Sequence, residues 1–557
     1  MIQPDKHQHP PAPTEEEPLP PPDGPTELLE TTHEIGEDND KIRFAGFRLD
    51  VHNPVFWISG TLISSLILLV LLFNAQAGAV FENLRQTLTT AFDSFFLLSA
   101  NIFVVICVGI LLSPLGRVRL GGPYARPDFN YLAWFAMLFA AGMGIGLMFY
   151  SVAEPISHYD AAIAGIQLND AGIRTDSAPL QGAAADPTAA RHLAMAATIF
   201  HWGLHPWAIY GIVALALALF AYNKGLPLTM RSAFYPLIGE RVWGWPGHVI
   251  DILSVLATLF GLATSLGIGV QQASAGLTHL YSLPDGIWAQ IILIILITSV
   301  ALGSIVVGIH NGVRRLSEVN LMLAIGLLLF VIVVGPTTLI LTGFFENLWS
   351  YATHLPALSD PFARPDSGYS QGWTAFYWAW WISWSPFVGM FIARVSRGRT
   401  VREFLAGVLL VPTLASVLWL TAFGETALNL TIKAGEVAIQ NAPLELKLFE
   451  TLALLPYAEI TSVLAIALVL VFFVTSSDSG SLVIDTITAG GKAQAPVAQR
   501  VFWASFEGVT AIVLLLGGGL TALQAMVIST GFPFTFILLV LSIMVIHGLR
   551  NEPRVKV

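Results

Sequence analysis

Charged residues are scarce in this sequence. Lys, Arg, Asp and Glu make up only 11% of the 557 residues, whereas 55% are hydrophobic. Soluble globular proteins carry roughly 25% charged residues, so the composition excludes that class and indicates an integral membrane protein.

Cysteine is nearly absent as well. The one cysteine, Cys107, lies inside an apolar run, so an intrachain disulfide is excluded.

Basic residues are almost missing from the first forty positions. Residues 1–40 contain eleven acidic residues against Lys6 alone, and the rest of the chain balances at 26 basic and 26 acidic residues. A segment rich in Pro and Glu and poor in aromatics is typical of disorder. We therefore expect a disordered acidic cytoplasmic tail over residues 1–50. No basic region precedes an apolar run, so no signal peptide is expected, and nucleic acid is not expected as a partner.

Long apolar runs are abundant. About 20 apolar residues in a helix span the hydrocarbon core of a bilayer. A short interfacial helix is predicted between the seventh and eighth runs, and a tight turn at residues 517–519 separates the last two. Twelve transmembrane helices are predicted, near residues 54–77, 93–114, 130–153, 193–221, 248–280, 286–309, 318–344, 373–393, 404–430, 451–476, 500–517 and 522–547. The predicted fold class is an all-α membrane protein.

The orientation of the helices follows from the distribution of Lys and Arg. If both termini are cytoplasmic, 21 of the 27 basic residues fall in cytoplasmic segments. Cytoplasmic loops of membrane proteins carry an excess of basic residues. The sequence therefore predicts that both termini lie in the cytoplasm.

The eighth run contains an aromatic segment, Phe376–Phe387. In it, Tyr377, Trp380, Trp381 and Trp384 recur at helical spacing, so their rings share one helix face. Such rings can form an interfacial belt or a box for a quaternary ammonium cation, worth roughly 2 kcal/mol per desolvated contact. A belt does not require one face, so the box is the favoured interpretation.

The third run contains three alternating glycines between Ala140 and Gly146. Each glycine costs a helix roughly 1 kcal/mol relative to alanine. Small residues can serve close helix packing, or an unwound segment can bind an ion or a carboxylate through its backbone. The run is expected to end at Glu154-Pro155. Five runs separate this segment from the aromatic one, which predicts two inverted five-helix repeats, runs 3–7 and 8–12.

Two further runs complete the candidate site. In the fourth run, Pro206 is expected to kink the helix and turn Trp202 toward Trp207, with Tyr210 following. His201 and His205 are spaced like metal ligands but lack a third ligand in the sequence, so packing is expected for them.

The tenth run ends in hydroxyl residues around Thr475 and Ser476. These suit a small hard cation or bond back to their own helix, and the segment alone favours the second interpretation. Asp478 is a candidate intramembrane carboxylate.

These segments resemble the betaine–choline–carnitine transporter family over about residues 45–549. The resemblance is carried by residues 142–150, 200–210, 377–387 with the following Ser396-Arg-Gly-Arg-Thr, and 474–476. It implies a fold similar to the leucine-transporter architecture and a homotrimer. It also implies a trimethylammonium box of Trp202, Trp207, Tyr210, Trp380, Trp381 and Trp384, with the substrate carboxylate near Ala141, Gly142 and Ile145.

The resemblance also implies a coupling ion. Sodium-coupled members bind one sodium at the positions of Ala140, Met143, Phe472, Thr475 and Ser476 in this chain. Thr258 and Phe387 match a second sodium site, but a leucine, Leu262, stands where a threonine is expected. Proton-coupled members have an aspartate at the position of Gly146, and carnitine exchangers have a buried arginine that runs 3, 5 and 10 lack. Sodium is therefore the expected coupling ion, and no other cofactor is expected.

The expected organisation has five parts. These are an acidic tail (1–50), two additional helices (51–115), a first repeat (116–350), an interfacial helix with a second repeat (351–549), and a short cytoplasmic C-terminus (550–557). Because the chain stops about ten residues after the twelfth run, osmotic regulation by a long basic tail is not expected.

The predicted function is sodium-coupled import of glycine betaine by alternating access in a bacterial inner membrane. Choline, ectoine and dimethylsulfoniopropionate are alternative substrates, and proton coupling is an alternative mechanism. An ion channel would need a continuous polar pore, and an enzyme would need a convergent nucleophile and base. The isolated polar patches of this sequence favour neither class.

Overall fold

Helices dominate the structure because a helix satisfies its backbone hydrogen bonds within one segment, as a chain surrounded by lipid must. The computed structural model describes residues 20–44, 47–142, 144–172, 174–307, 310–362, 368–492 and 495–555. The α-helices are α1 (Val55–Leu72), α2 (Asn74–Leu112), α3 (Tyr131–Gly142), α4 (Ile145–Ala164), α5 (Pro187–Trp202), α6 (Leu204–Ala218), α7 (Tyr235–Ile238), α8 (Trp245–Tyr281), α9 (Ile287–Val307), α10 (His310–Val334), α11 (Thr337–Leu358), α12 (Ala375–Val395), α13 (Val401–Asn429), α14 (Val437–Asn441), α15 (Lys447–Ala453), α16 (Ala458–Thr488) and α17 (Val497–Arg550).

Shorter segments complete the helical structure. Turns of 3₁₀-helix occur at Pro114–Arg117, Arg231–Phe234 and Gly239–Trp243, and π-helical turns occur at Leu219–Asn223, Ser370–Thr374 and Leu430–Ala434. The fold is not purely helical, because β1 (Asn39–Phe44) and β2 (Phe47–His52) pair as an antiparallel hairpin.

In the described residues, nine helical segments are long and apolar enough to cross a bilayer, or ten when the bent pair α3 and α4 counts as one span. The sequence predicted twelve. One difference is α17, whose 54 residues include the predicted spans eleven and twelve, with non-helical backbone at Gly518 and Gly519. A continuous helix of that length would be about 80 Å long, far beyond a bilayer core of about 30 Å. The predicted turn at these glycines is thus confirmed.

The other difference is α12, which corresponds to the predicted eighth span. Its 21 residues include four tryptophans, two serines and Arg394, and these lower its apolar character. This helix is not among the nine segments, although most of its residues are buried. The count of twelve and the inverted repeat remain predictions.

The centre of the molecule is formed by α5, α6 and α8. In their most apolar stretches, 94% of the residues of Pro187–Asn223 and 83% of those of α8 are buried, against 22% for α9. The helix α12 packs against α6 and α8, and α16 packs against α8. The peripheral helices expose apolar side chains, as helices that face lipid do, while the aromatic helices are enclosed.

The segment between residues 20 and 52 corrects the prediction of disorder for its part of the acidic tail. Besides forming the β-hairpin, it contacts the ends of several helices: Glu27 pairs with Lys224 at 2.5 Å, and Asp50 pairs with Lys492 at 2.6 Å. The hydrogen bond from Lys224 lowers the pKa of the Glu27 carboxyl. Composition predicts disorder because a polar segment cannot build its own core, whereas here the helices supply the partners.

Candidate functional site

A cavity of about 250 Å³ lies among α3, α4, α5, α6, α8, α10, α12, α13 and α16. It is the meeting point of the broken pair α3–α4 and the continuous aromatic helix α12, the two segments that the sequence singled out. The six predicted box residues all line it: Trp202, Trp207, Tyr210, Trp380, Trp381 and Trp384. The structure thus brings together side chains that lie up to 182 positions apart in the sequence.

The aromatic wall is built from contacts between rings. Trp380 and Trp381 are stacked, with ring centroids 5.1 Å apart. Trp202 and Tyr210 meet Trp381 edge-on at 4.9 Å and 6.0 Å, and Trp207 meets Tyr210 edge-on at 5.4 Å. Stacked and edge-on pairs at these distances are favourable arrangements of aromatic quadrupoles. The wall therefore presents ring faces and edges in fixed positions to the cavity.

Hydrogen bonds fix the indole groups of this wall. The Trp380 Nε1–H donates to Ser265 Oγ of α8 at 3.2 Å, and the Trp381 Nε1–H donates to the carbonyl of His201 in α5 at 2.9 Å. An indole has one donor and no acceptor, so each of these bonds determines the orientation of its ring. The helix face predicted from the spacing in α12 is thereby anchored to two other helices.

The glycine segment opens one side of the cavity. Helix α3 ends at Gly142 and α4 begins at Ile145, and the two axes differ by 63°. Ala140 and Ala141 line the cavity together with Gly142 and Ile145, whereas Met143 lies outside the described residues. The backbone at the break is thus placed where a carboxylate or an ion in the cavity would meet it.

Gly146 also serves close packing. A Cβ built on this residue would lie 2.7 Å from Trp380 Cη2 and 2.9 Å from Trp202 Cη2, closer than real side chains approach one another. Close packing, the first interpretation of the glycine segment, therefore applies at Gly146, while binding of an ion or a carboxylate by the unwound backbone stays a prediction. The helix is broken, and the missing side chain allows two rings of the box to approach the backbone.

The predicted sodium positions on α16 also line the cavity. Phe472, Thr475 and Ser476 line it, as does Ala140 of α3. The Thr475 hydroxyl donates to the carbonyl of Phe472 at 3.1 Å, which is the bond back to the helix that the sequence left as an alternative. The oxygen atoms of Thr475 and Phe472 are therefore adjacent.

The residues of the predicted second sodium site are less closely associated with the cavity. Phe387 lines it, next to Trp384 at a ring distance of 5.4 Å. Thr258 is buried in α8, and its hydroxyl donates to the Ser254 carbonyl at 2.7 Å. Leu262, one turn further on, packs against Gly480 of α16. Hydrocarbon thus occupies the position where the family pattern has a threonine.

The sequence interpretation missed the role of Glu154. The third span was expected to end at Glu154-Pro155, but α4 continues to Ala164 with Pro155 inside it. A proline removes one intrahelical hydrogen bond without preventing further turns, and Glu154 is held by tertiary contacts. Its carboxylate accepts hydrogen bonds from His201 Nδ1 at 2.5 Å and Trp202 Nε1 at 2.9 Å. An acidic residue inside an apolar span is the signal that could have identified it.

The two histidines of the fourth span have different surroundings. His205 stacks on Trp378 at 5.2 Å and bonds to Asn101 at 2.9 Å, which agrees with the packing role expected for it. His201 lies beside Glu154, and His158 contributes a third donor atom within 4.8 Å of the other two, a spacing that could also hold a metal ion. Sequence spacing could not show the complete group, because Glu154 and His158 lie one turn apart on α4 whereas His201 lies on α5.

Asp478, the candidate intramembrane carboxylate, lies toward the end of α16. Its Oδ1 atom pairs with Arg500 of α17 at 2.9 Å. The pair links the two helices and is partly accessible at both side chains. Asp478 thus lies inside α16, which continues to Thr488, and forms an ion pair with α17; it is not among the residues that line the cavity.

Comparisons with known proteins place the chain in a family. The sequence profile described as "BCCT, betaine/carnitine/choline family transporter" matches residues 54–554. The chain is 59% identical over 535 residues to the glycine betaine/proline/choline transporter of Vibrio parahaemolyticus, covering 96% of this chain and 97% of that protein. It is 49% identical over 528 residues to a glycine betaine/proline/choline/ectoine transporter of the same organism, covering 94% and 91%.

A more distant relative gives the same result. The chain is 41% identical over 508 residues to the glycine betaine transporter OpuD of Bacillus subtilis, and the match covers 90% of this chain and 95% of that protein. The family match extends over the broken pair α3–α4 and the aromatic wall. The family expected from the tryptophan and glycine segments is thus confirmed, and the protein is a transporter rather than an enzyme. The chain belongs to the betaine/carnitine/choline transporter family.

Proposed function

We propose that this protein is a sodium symporter that imports glycine betaine by alternating access. The observation that carries the proposal is the cavity itself, in which six aromatic residues face a broken helix and the hydroxyl residues of α16. Ring faces attract a quaternary ammonium group, and the broken backbone offers polar groups to a carboxylate. A zwitterion with both groups matches the two sides of the cavity.

The relatives support glycine betaine as the substrate. All three transporters named above have glycine betaine in their names, two also have proline and choline, and one has ectoine. Choline and ectoine are therefore the alternatives to test beside it. A box that recognises a soft cation through ring faces has no need of a fixed number of methyl groups, which is consistent with several related substrates.

Sodium is favoured as the coupling ion by the groups at the cavity. Thr475 and Ser476 provide hydroxyl oxygens, and sodium is a hard cation that prefers oxygen ligands. Proton coupling through a carboxylate at position 146 is disfavoured, because even a Cβ there would clash with Trp380 and Trp202. We propose one sodium ion per cycle, since Leu262 replaces a ligand of the second site.

The shape of the cavity supports alternating access. From the aromatic wall its lining follows α12 as far as Phe391, near the end of the helix that carries Arg394. Basic residues mark cytoplasmic ends, so the cavity corresponds to a state open to the cytoplasm, with both termini on that side of a bacterial inner membrane. The homotrimer is proposed to involve α11, which exposes Phe345 and Trp349.

Uptake of radiolabelled glycine betaine into proteoliposomes tests the proposal. Uptake should require a sodium gradient, vanish in potassium buffer, and persist when the pH gradient is collapsed. Thr475→Ala combined with Ser476→Ala should cripple sodium-driven uptake. Thr461→Ala is the matched control, because its hydroxyl also bonds to its own helix but lies near the other end of α16. Sodium-independent uptake driven by a pH gradient would refute the coupling while leaving the box intact.

A further inference from the structure

A buried carboxylate lies directly behind the aromatic wall. Glu154 of α4 is fully buried, and its Oε2 atom accepts hydrogen bonds from the Trp202 indole N–H at 2.9 Å and the Tyr377 hydroxyl at 2.6 Å. Its Oε1 atom lies 2.5 Å from His201 Nδ1 and 3.1 Å from His158 Nε2. Four hydrogen bonds thus converge on one carboxylate in the centre of the molecule.

These bonds connect the carboxylate to rings of the box. Trp202 lines the cavity, and Tyr377 stacks on Trp381, which also lines it, at a centroid distance of 6.0 Å. Trp202 and Tyr377 meet edge-on at 5.6 Å. Glu154 therefore holds one ring of α5 and one ring of α12 in a fixed relation, although it does not itself line the cavity.

The four donors leave the carboxylate charged. A phenol, an indole and two neutral imidazoles can each donate one hydrogen bond, and an ionised carboxylate is the group that accepts four. His201 bonds through its other ring nitrogen to Thr374 Oγ1 at 3.0 Å, which is consistent with a neutral imidazole whose Nδ1 carries the proton. The geometry thus fits an anion stabilised by hydrogen bonds, and in the part of the chain that the structure describes no Lys or Arg pairs with it.

A negative charge in this position acts on a cation in the cavity in two ways. Hydrogen bonding to an anion polarises the Trp202 and Tyr377 rings and makes their faces more negative, which strengthens the cation–π attraction. The carboxylate also attracts the cation directly, and charges interact more strongly in a buried site than in water. Neither effect acts on a neutral group of the same shape.

We propose that Glu154 is a positioning and selectivity residue that makes the box prefer a cation to a neutral group of the same size. The proposal rests on the proposed function, in which the box holds a quaternary ammonium group. It makes Glu154 the buried countercharge of the substrate, reached through the hydrogen-bonded rings of Trp202 and Tyr377. The ligand class it selects is the methylated ammonium compounds.

The test compares glycine betaine with tert-butylacetate, in which a carbon atom replaces the ammonium nitrogen. Dissociation constants are measured for both by tryptophan fluorescence in detergent at saturating sodium. The wild-type protein should prefer glycine betaine by about tenfold or more, as expected for a desolvated cation–π site. The preference is expressed as the ratio of the tert-butylacetate Kd to the glycine betaine Kd. In Glu154→Gln, which keeps the size of the side chain, this ratio should fall by about fivefold or more, because glycine betaine binds more weakly.

Two further variants make the result specific. Tyr377→Phe keeps the ring but removes its bond to Glu154, so it should lower the ratio by a smaller factor. Its effect should not add to that of Glu154→Gln, because the two changes remove one shared interaction. Asn101→Ala is the matched control: it removes a partly buried hydrogen bond to His205, which stacks on Trp378 away from the cavity, and should leave the ratio unchanged.

Each outcome is decisive. Equal weakening of both ligands by Glu154→Gln would mean that the residue only supports packing, and the proposal would be wrong. If Glu154→Gln does not fold, an unchanged ratio in Tyr377→Phe would overturn the proposal in the same way. A wild-type protein that binds glycine betaine without preferring it to tert-butylacetate would instead refute the cation box. Zinc binding that Glu154→Gln abolishes without changing the ratio would replace the proposal by a metal site.

Discussion

The two sides of the cavity are held in place by different kinds of hydrogen bond. On the aromatic side, the indole groups of Trp202, Trp380 and Trp381 donate to acceptors on other helices. On the α16 side, the Thr475 hydroxyl donates to carbonyls of its own helix. A wall tied across helices keeps its shape without a ligand. A hydroxyl bonded locally can turn toward an ion without breaking any contact between helices.

The comparison predicts that the affinity for glycine betaine falls most when a ring of the aromatic wall is removed. Trp381→Leu should weaken glycine betaine binding by about tenfold or more, because it removes a desolvated cation–π contact worth roughly 2 kcal/mol. Titration followed by the fluorescence of the remaining tryptophans measures the change. Trp245→Leu is the control, since that residue is 63% exposed at the start of α8. Unchanged affinity in Trp381→Leu would remove this residue from the box.

A smaller effect is expected when a methyl group is added at Gly146, which lines the cavity beside the rings of Trp380 and Trp202. Gly146→Ala places a Cβ within 3 Å of two rings, Trp380 and Trp202, which are fixed by hydrogen bonds and cannot retreat. Overpacking of this kind costs roughly 1–3 kcal/mol, and we expect glycine betaine affinity to fall about fivefold. Gly326→Ala is the control, because a Cβ there meets none of the described atoms within 4 Å. Equal behaviour of the two variants would show that the rings can move.

On the α16 side of the cavity we expect a single sodium site. With Leu262 packed against Gly480 and the Thr258 hydroxyl bonded to its own helix, the sodium dependence of uptake should show a Hill coefficient near one. Initial uptake rates measured against sodium concentration provide the test, with Thr461→Ala as a variant that should leave the coefficient unchanged. A coefficient near two would mean that other oxygen atoms complete a second site.

The smallest effect is expected far from both sides of the cavity, at the β-hairpin. Burial, with a further contribution from the Arg231 charge, lowers the pKa of His52 to about 3 from an ordinary value of 6.5. Between pH 3 and pH 6.5, His52 therefore binds more protons when the hairpin is detached than when it is docked. Docking is fully stable above pH 6.5 and weakens as the pH falls below that value. Hydrogen exchange of residues 39–52, corrected for intrinsic rates, should lose protection at about pH 5. His52→Gln should weaken the pH dependence, to which His248, 3.4 Å from His52, also contributes. Equal protection of the wild-type hairpin at about pH 5 and above the ordinary histidine pKa of 6.5 would contradict the prediction.

The sequence predicted the faces of the helices better than it predicted their contacts. Helical spacing was enough to place Trp380, Trp381 and Trp384 on one side of α12, because periodicity is a local property. It could not place Glu154 beside Tyr377, since these residues are 223 positions apart and no local pattern records their hydrogen bond. The hairpin was missed for the same reason, because its stability depends on partners such as Lys492 rather than on its own composition.

The break between α3 and α4 has a thermodynamic consequence. The last carbonyls of a helix carry partial negative charge and the first amides of the next carry partial positive charge, so one interruption presents both signs to the cavity. Under the proposed function, a sodium ion at the α3 end and a substrate carboxylate at the α4 end would neutralise each other across a few residues. Each ligand would then raise the affinity of the other by the same factor, as linkage requires. Coupling between ion and solute would thus be a property of backbone dipoles.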